Sequence, residues 1–217
     1  MNRERSLNPH GLAKLTFIDL EVGGPNPKRH PIIQLAAIAV DSRLDVLEAF
    51  EAKIRFNPKC ANAYSLRKNS YHPGVWAKEA QEPKEVAKDF AKFLRRHASV
   101  PALSSKGERY EVSQLVAHHA AFDGPFLSEW YERLGVYLPA RKQLLCTLQL
   151  AMWRFALSGE KPPANCQLAT LCAHFGVPFH AAKAHDALGD VSATVQLFRA
   201  LAPAIVPTGN LKPRRAA

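Results

Sequence analysis

Three apolar runs lie within the first 56 residues and are separated only by short polar segments. They cover residues 14–20, 32–40 and 46–56. Runs of this length that are bounded by Gly, Pro or Asp are typical of β-strands. Because the connections are short, we expect the three strands to pair as an antiparallel meander. A chain that begins in this way needs further elements to cover both faces of the resulting sheet.

The rest of the chain supplies mainly helical patterns. Apolar residues recur at helical spacing over residues 85–97, which predicts an amphipathic helix. Residues 57–83 are interrupted by prolines and a glycine and are expected to be irregular. A fourth strand is predicted at 112–118, and further helices are predicted at 122–134, 144–157, 167–175 and 186–201. This order predicts an α/β fold with a mixed central sheet flanked by helices.

A single domain is expected over residues 13–202, between a flexible N-terminal segment (1–12) and a basic flexible tail (203–217). No run approaches 18 consecutive apolar residues, so no transmembrane helix is predicted. The polar N-terminus lacks the apolar core of a secretory signal. The four cysteines form no Cys-x-x-Cys pair, which argues against a zinc site and a disulfide framework. We therefore expect a cytoplasmic protein with reduced thiols.

Positive charge is in clear excess. The 217 residues include 29 Lys and Arg against 19 Asp and Glu, which gives a net charge of +10. A chain this basic commonly meets a polyanion, either nucleic acid or an anionic membrane surface. The alternative is a small protein that uses its charge only for solubility. Composition alone leaves both interpretations open.

Two carboxylates lie at the end of the first predicted strand. Asp19 and Glu21 are two residues apart, so the period of a strand places both on one face. At a separation of about 4 Å, two such charges repel by about 4 kcal/mol at an effective dielectric of about 20. Either a cation lies between them or both point into water.

Acidic residues and histidines also meet at two predicted helix starts. Asp123 lies in the first turn of a helix that follows His118 and His119. Successive residues of a strand point to opposite faces, so at most one of these histidines is expected to face a site. Asp190 lies in the first turn of the last helix, just after His185. For both places the alternative is a polar helix start, where a carboxylate is favourable without any function.

Taken together, the three places resemble the DEDDh 3′→5′ exonuclease family, which includes ribonuclease T, oligoribonuclease and polymerase proofreading subunits. Residues 17–24 (FIDLEVGG) match the first family motif, 118–123 (HHAAFD) resemble the second and 185–190 (HDALGD) the third. The motifs occur in the family's order, and the resemblance extends from about residue 15 to 202. It implies a ribonuclease H-like fold.

The resemblance also implies roles for individual residues. Asp19, Glu21, Asp123 and Asp190 would be the catalytic, metal-binding carboxylates, and His185 would be the general base. Two divalent ions, Mg²⁺ or Mn²⁺, would polarise the phosphodiester and activate a water, and oxygen ligands suit these ions better than zinc. The predicted reaction releases nucleoside monophosphates from single-stranded DNA or RNA 3′ ends. The alternative is a non-catalytic nucleic-acid-binding module or a polymerase-associated proofreading module.

A single strand needs a groove with basic residues and stacking faces. Residues 62–72 interleave basic side chains with two tyrosines, although a solvated loop is the alternative there. Arg29 and His30 are further candidates. The predicted substrate contacts are Leu20, Val22, Gly23, Tyr64, Arg67, His118 and Phe122.

Four positions depart from the family pattern. Residues 22–24 stand where relatives often have a loop that contains threonine. This difference bears on how the protein discriminates between the sugars of DNA and RNA. His119 stands where the second motif usually has Asn, and Cys146 stands where relatives often have Asp, so local support is expected to differ. Asp186 adds a carboxylate beside the predicted base, and it would modestly raise the pKa of that histidine if it points inward.

The resemblance bears on partners as well. Relatives of the ribonuclease T and oligoribonuclease type are often dimers, so a homodimer is one expected state. No membrane partner is predicted. Residues 203–217 show no apolar docking motif, which favours a free-standing nuclease, while a polymerase or other nucleic-acid-processing partner stays open. If four of the 19 acidic residues bind metal, the remaining surface is more basic than the net charge indicates.

Overall fold

The computed structural model describes residues 14–179 and 187–202. Its strands are β1 Lys14–Val22, β2 Ile32–Asp41, β3 Val46–Lys53, β4 Val100–Leu103, β5 Arg109–Val112, β6 Leu115–Ala117 and β7 Leu145–Cys146. Its helices are α1 Ala63–Lys68, α2 Pro73–Glu79, α3 Pro83–Arg96, α4 Ala120–Leu134, α5 Thr147–Ser158, α6 Leu168–His174 and α7 Ala187–Leu201. The longest helices have 15 residues, and no helix of the described part is long and apolar enough to cross a membrane.

Five strands form one mixed sheet in the order β3-β2-β1-β6-β7. The predicted meander is confirmed, because β1 pairs antiparallel with β2 and β2 pairs antiparallel with β3. On its other side β1 runs parallel to β6, which in turn runs parallel to β7. The first strand of the chain therefore lies at the centre of the sheet, with its C-terminal end next to that of β6.

Helices cover both faces of the sheet, as predicted. On one face Ile18, Leu20 and Val22 pack in a core with residues of α3 and α4. On the other face Phe17 packs with Val191 and the rest of the apolar side of α7. Because side chains alternate along β1, Asp19 and Glu21 lie on the same face as Phe17. The alternation of the central strand thus directs both carboxylates towards α7.

The segment predicted to be irregular, residues 57–83, is partly helical, so that prediction was wrong in part. It contains a 3₁₀ turn at Pro58–Cys60 and the short helices α1 and α2. Asn62 caps α1, because its side chain accepts a hydrogen bond from the Ser65 amide at 2.7 Å. Pro73 opens α2, where its missing N–H costs nothing. The prolines that interrupt this segment therefore mark the places where helices begin.

Three boundaries of strands and helices also differ from the predictions. The strand expected at 112–118 is divided, because residues 113 and 114 separate β5, which pairs with β4 in a hairpin, from β6. The helix expected from 144 begins at Thr147, since the two residues before it pair with β6 as β7. The third strand ends at Lys53. Elements of two to four residues are too short for a periodic pattern to reveal them.

The four cysteines, Cys60, Cys146, Cys166 and Cys172, are all free thiols, as predicted. The predicted terminal segments, 1–12 and 203–217, lie outside the described residues.

The core around α3 provides a test of stability. Phe90 is fully buried and its ring centroid lies 5.2 Å from that of Phe50. We expect Phe90→Ala to lower the free energy of unfolding by about 3–5 kcal/mol, because it removes a buried ring and leaves a cavity. Lys88→Ala, on the exposed side of the same helix, should change it by less than about 0.5 kcal/mol. Denaturant titration measures both, and equal effects of the two substitutions would contradict this packing.

Candidate active site

Three carboxylates meet between the end of β1 and the start of α7. Oxygen atoms of Asp19, Glu21 and Asp190 all lie within 4.8 Å of one another. Glu21 is buried, and the other two are half-buried. Such a cluster is electrostatically unfavourable, since two unit charges at about 4 Å repel by about 4 kcal/mol at an effective dielectric of about 20. A divalent cation between the carboxylates would convert this repulsion into attraction.

The packing of α7 against the sheet positions Asp190. Ala187 and Val191, which flank it on the helix, are fully buried against the sheet. Near the other end of the helix, the ring of Phe198 meets that of Phe17 edge to face, with centroids 5.4 Å apart. The apolar side of α7 therefore fixes the carboxylate of its first turn opposite the two on β1.

Hydrogen bonds fix the loop that follows Glu21. Gly23 N donates to Pro31 O at 2.8 Å, and Gly23 O accepts from Asn62 N at 2.8 Å. The side-chain amide of Asn69, at the end of α1, donates to Val22 O at 2.9 Å. A Cβ added to Gly23 would lie 2.7 Å from that of Ala61, so the close approach requires glycine. Residues 61–69 thus stabilise the end of β1.

Asp123 comes to the same cleft from α4. It lies in the first turn of that helix and is only 6% exposed. Burial raises the pKa of this carboxyl to about 7, although a hydrogen bond from its own backbone amide favours the ionised form. Among the described residues, the compact cluster comprises the other three carboxylates, and Asp123 lines the wall beside them.

The cleft that contains all four carboxylates has a volume of about 550 Å³. Of the predicted substrate contacts, five line it: Leu20, Val22, Tyr64, His118 and Phe122. Gly23 and Arg67 are not among the residues that line it, so their contact with substrate stays a prediction. Gly23 packs against Ala61, and on the short helix α1 the next residue, Lys68, faces the cleft in place of Arg67. One residue of a helix is a rotation of about 100°, which the sequence could not resolve.

Both histidines of the second motif line the cleft, which corrects the prediction that at most one would face it. The strand ends at Ala117, so strand alternation no longer applies to His118 and His119. The exposed ring of His119 stacks nearly parallel on Phe122, at 9° and a centroid distance of 6.1 Å. Together with Tyr64, which is 69% exposed, these rings give the cleft aromatic walls.

His118 connects three segments around the cleft. Its Nδ1 lies 2.9 Å from the Thr147 hydroxyl, and its Nε2 lies 3.0 Å from the Cys166 carbonyl. A carbonyl only accepts, so Nε2 carries the hydrogen and Nδ1 accepts from Thr147. Burial lowers the pKa of this ring, which favours that neutral form. The Cys146 thiol donates to His118 O at 3.3 Å, so Cys146 is one of the residues that hold this segment in place.

Several residues that line the cleft were not predicted from the sequence, and some predicted residues do not line it or lie outside the described part of the chain. Asn62, Lys68, Asn69 and Leu168 line the cleft without having been singled out, although the first three fall within the tyrosine-containing stretch 62–72. Arg29 and His30 are not among the residues that line it, and His30 Nδ1 accepts from Asn26 N in a local turn. His185 and Asp186 lie outside the described residues.

Residues 16–105 and 108–198 match the RNase_T family, described as exonuclease. The chain is 28% identical over 193 residues to DNA polymerase III PolC-type of Oceanobacillus iheyensis, covering 88% of this chain and 12% of that protein. It is 24% identical over 192 residues to ribonuclease T of Shewanella sp. (strain ANA-3), covering 83% of this chain and 78% of that protein.

Solved structures of exonuclease I share the fold. One, whose structure suggests how processivity is achieved, aligns with a TM-score of 0.71 at 18% identity, over 88% of this chain and 41% of that chain. A zinc-bound complex of E. coli exonuclease I with single-stranded DNA aligns with a TM-score of 0.70 at 19% identity. The alignment covers 90% of this chain and 41% of that chain. This chain thus spans less than half of exonuclease I. The ribonuclease H-like fold implied by the motifs is confirmed.

The pKa of Asp123 predicts how stability depends on pH in chelator-treated protein. The folded pKa, about 7, lies above the value of about 3.9 for an unfolded Asp. The contribution of this group to the free energy of unfolding is therefore fully present below pH 4 and is lost as the pH rises to about 7. Relative to Asp123→Asn, which cannot ionise, the wild type should lose on the order of 4 kcal/mol over this range. Parallel unfolding profiles of the two proteins between pH 4 and 8 would contradict the assignment.

Proposed function

Because this chain belongs to the RNase_T exonuclease family, we propose that it hydrolyses single-stranded nucleic acid from the 3′ end and releases nucleoside monophosphates. Membership of the family confirms the exonuclease class that the three motifs predicted, and the 3′→5′ direction is part of the proposal. The observation that carries the proposal for this chain is the convergence of Asp19, Glu21 and Asp190 within 4.8 Å, beside the buried Asp123.

The four carboxylates are the residues that would hold the metal. They offer only oxygen ligands, which suits Mg²⁺ or Mn²⁺ and is a poor set for an ion that prefers nitrogen or sulfur. The raised pKa of Asp123 fits the same role, because burial opposes its ionisation and a bound cation would favour it. When bound, a pair of such ions polarises the scissile phosphodiester and lowers the pKa of the attacking water.

His185 is the residue proposed to accept the proton of that water. It stands two positions before Ala187, with which α7 begins, and five before Asp190. An imidazole is half-protonated near pH 6.5, so it is available as a base at neutral pH. The support is its place in the third motif.

The walls of the cleft suit a single strand. Tyr64, Phe122 and His119 offer ring faces on which unpaired bases can stack, and Lys68 offers a cation for phosphate. E. coli exonuclease I has been solved with single-stranded DNA and with a dT13 oligonucleotide. A base that is paired in a duplex would not present its face to these rings, so we propose an unpaired 3′ end, of DNA or RNA, as the substrate.

The metal site is tested with Asp19→Asn. We expect hydrolysis of a 12-nucleotide strand in Mg²⁺ or Mn²⁺ to fall by a factor on the order of 10² or more, because one ligand charge is lost. Wild-type activity should likewise disappear with chelator and return with either ion. Parallel assays of 3′-labelled and 5′-labelled DNA and RNA strands show the direction and the preferred sugar.

Asp89→Asn is the matched control, since Asp89 is exposed on α3 and pairs only with Lys92 among the described contacts. It should retain full activity. Strand binding by the wild type without loss of the 3′ label in either ion would overturn the proposal and favour a non-catalytic or polymerase-associated module.

The general base is tested separately with His185→Gln. We expect kcat to fall by about 10²–10⁴-fold with little change in KM, because proton transfer is lost while the carboxylates and aromatic walls remain. The low-pH limb of the wild-type rate profile should also vanish in the variant. An unchanged kcat and pH profile would remove His185 from the mechanism and leave the metal site intact.

A further inference from the structure

A second cavity lies along α4, outside the candidate cleft. Its volume is about 620 Å³, and its walls come from the β4–β5 hairpin, α4 and residues 136–144. Val112 and Leu127 form part of an apolar floor. Two exposed rings, Tyr110 and Tyr137, stand at its rim with their hydroxyls 3.2 Å apart. We call this cavity the α4 groove.

The charge of the α4 groove is positive. Arg141 and Lys142 line it and are exposed, whereas Glu132 is its one acidic lining residue in the part of the chain that is described. Exposed aromatic rings beside cations are the composition of grooves that bind single-stranded nucleic acid.

The α4 groove and the candidate cleft are lined by consecutive residues of α4. Phe122 and Asp123 line the cleft, and the next residue of the same helical turn, Gly124, lines the groove. From Gly124 the groove follows α4 to Glu132, a rise of about 12 Å. At about 3.4 Å per stacked nucleotide, that length accommodates about three nucleotides.

We propose that the α4 groove is a second binding site for the substrate strand, and that it holds nucleotides on the 5′ side of the 3′ end in the cleft. This inference rests on the proposed function, which places the 3′ end among the carboxylates. An acidic peptide would also suit Arg141 and Lys142. The shared helical turn with the cleft and the exposed tyrosine rings favour a nucleic-acid strand.

The dependence of binding on strand length tests the proposal. Fluorescence anisotropy gives the Kd of a 12-nucleotide and a 3-nucleotide strand, each labelled at its 5′ end, in the Asp19→Asn background. We expect Arg141→Glu/Lys142→Glu to reduce the 12-mer to 3-mer affinity ratio by about tenfold and to lower the salt slope for the 12-mer by about 1.4, since two phosphate contacts to a single strand are lost. Tyr137→Ser should reduce the same ratio with little change in the salt slope.

Lys84→Glu/Lys88→Glu is the matched control, because it makes the same change in net charge on the exposed side of α3. It should leave the affinity ratio unchanged. The proposal would be overturned if the 12-mer to 3-mer affinity ratio stays at the wild-type value in the groove variants, or falls equally in the control. Either result would favour an acidic peptide as the ligand of the α4 groove. Because binding is measured without hydrolysis, failure of the proposed exonuclease activity would be seen separately, in the cleavage assays.

Discussion

The mutual repulsion of Asp19, Glu21 and Asp190 is the constraint around which the rest of the structure is arranged. Oxygen atoms of these three carboxylates lie within 4.8 Å of one another. They are held there because β1 lies at the centre of the sheet and α7 packs its apolar side across that strand. The packing of the apolar core thus keeps the three carboxylates together, and a bound cation would offset their mutual repulsion.

Hydrogen bonds hold the segments around this cluster in place. The amide of Asn69 fixes the end of β1 through Val22 O, and the ring of His118 joins the start of α4 to Thr147 and to Cys166. Neither side chain contributes a carboxylate, yet each closes a hydrogen bond between segments distant in sequence. Side-chain hydrogen bonds therefore fix the loops that line the cleft, while the apolar core packs the helices against the hydrogen-bonded sheet.

The sequence allowed the meander, the amphipathic helix α3, the main helices and the four carboxylates to be predicted, because each depends on a local period or a motif. It did not allow β7 to be predicted, since Leu145 and Cys146 become a strand only through pairing with β6. Nor could it separate Arg67 from Lys68, or show that both His118 and His119 line the cleft, because these outcomes depend on rotation about a helix and on where a strand ends. The α4 groove combines residues from three separate segments, so no single local pattern could indicate it.

We propose that the end of β1 and the first turn of α7 form a divalent-metal site. Anomalous diffraction from crystals soaked in Mn²⁺ locates the ions directly. We predict a strong peak among the carboxylate oxygens of Asp19, Glu21 and Asp190, with no comparable peak at that position in Asp19→Asn crystals. Manganese peaks elsewhere on the protein, with none between these three carboxylates, would contradict the account.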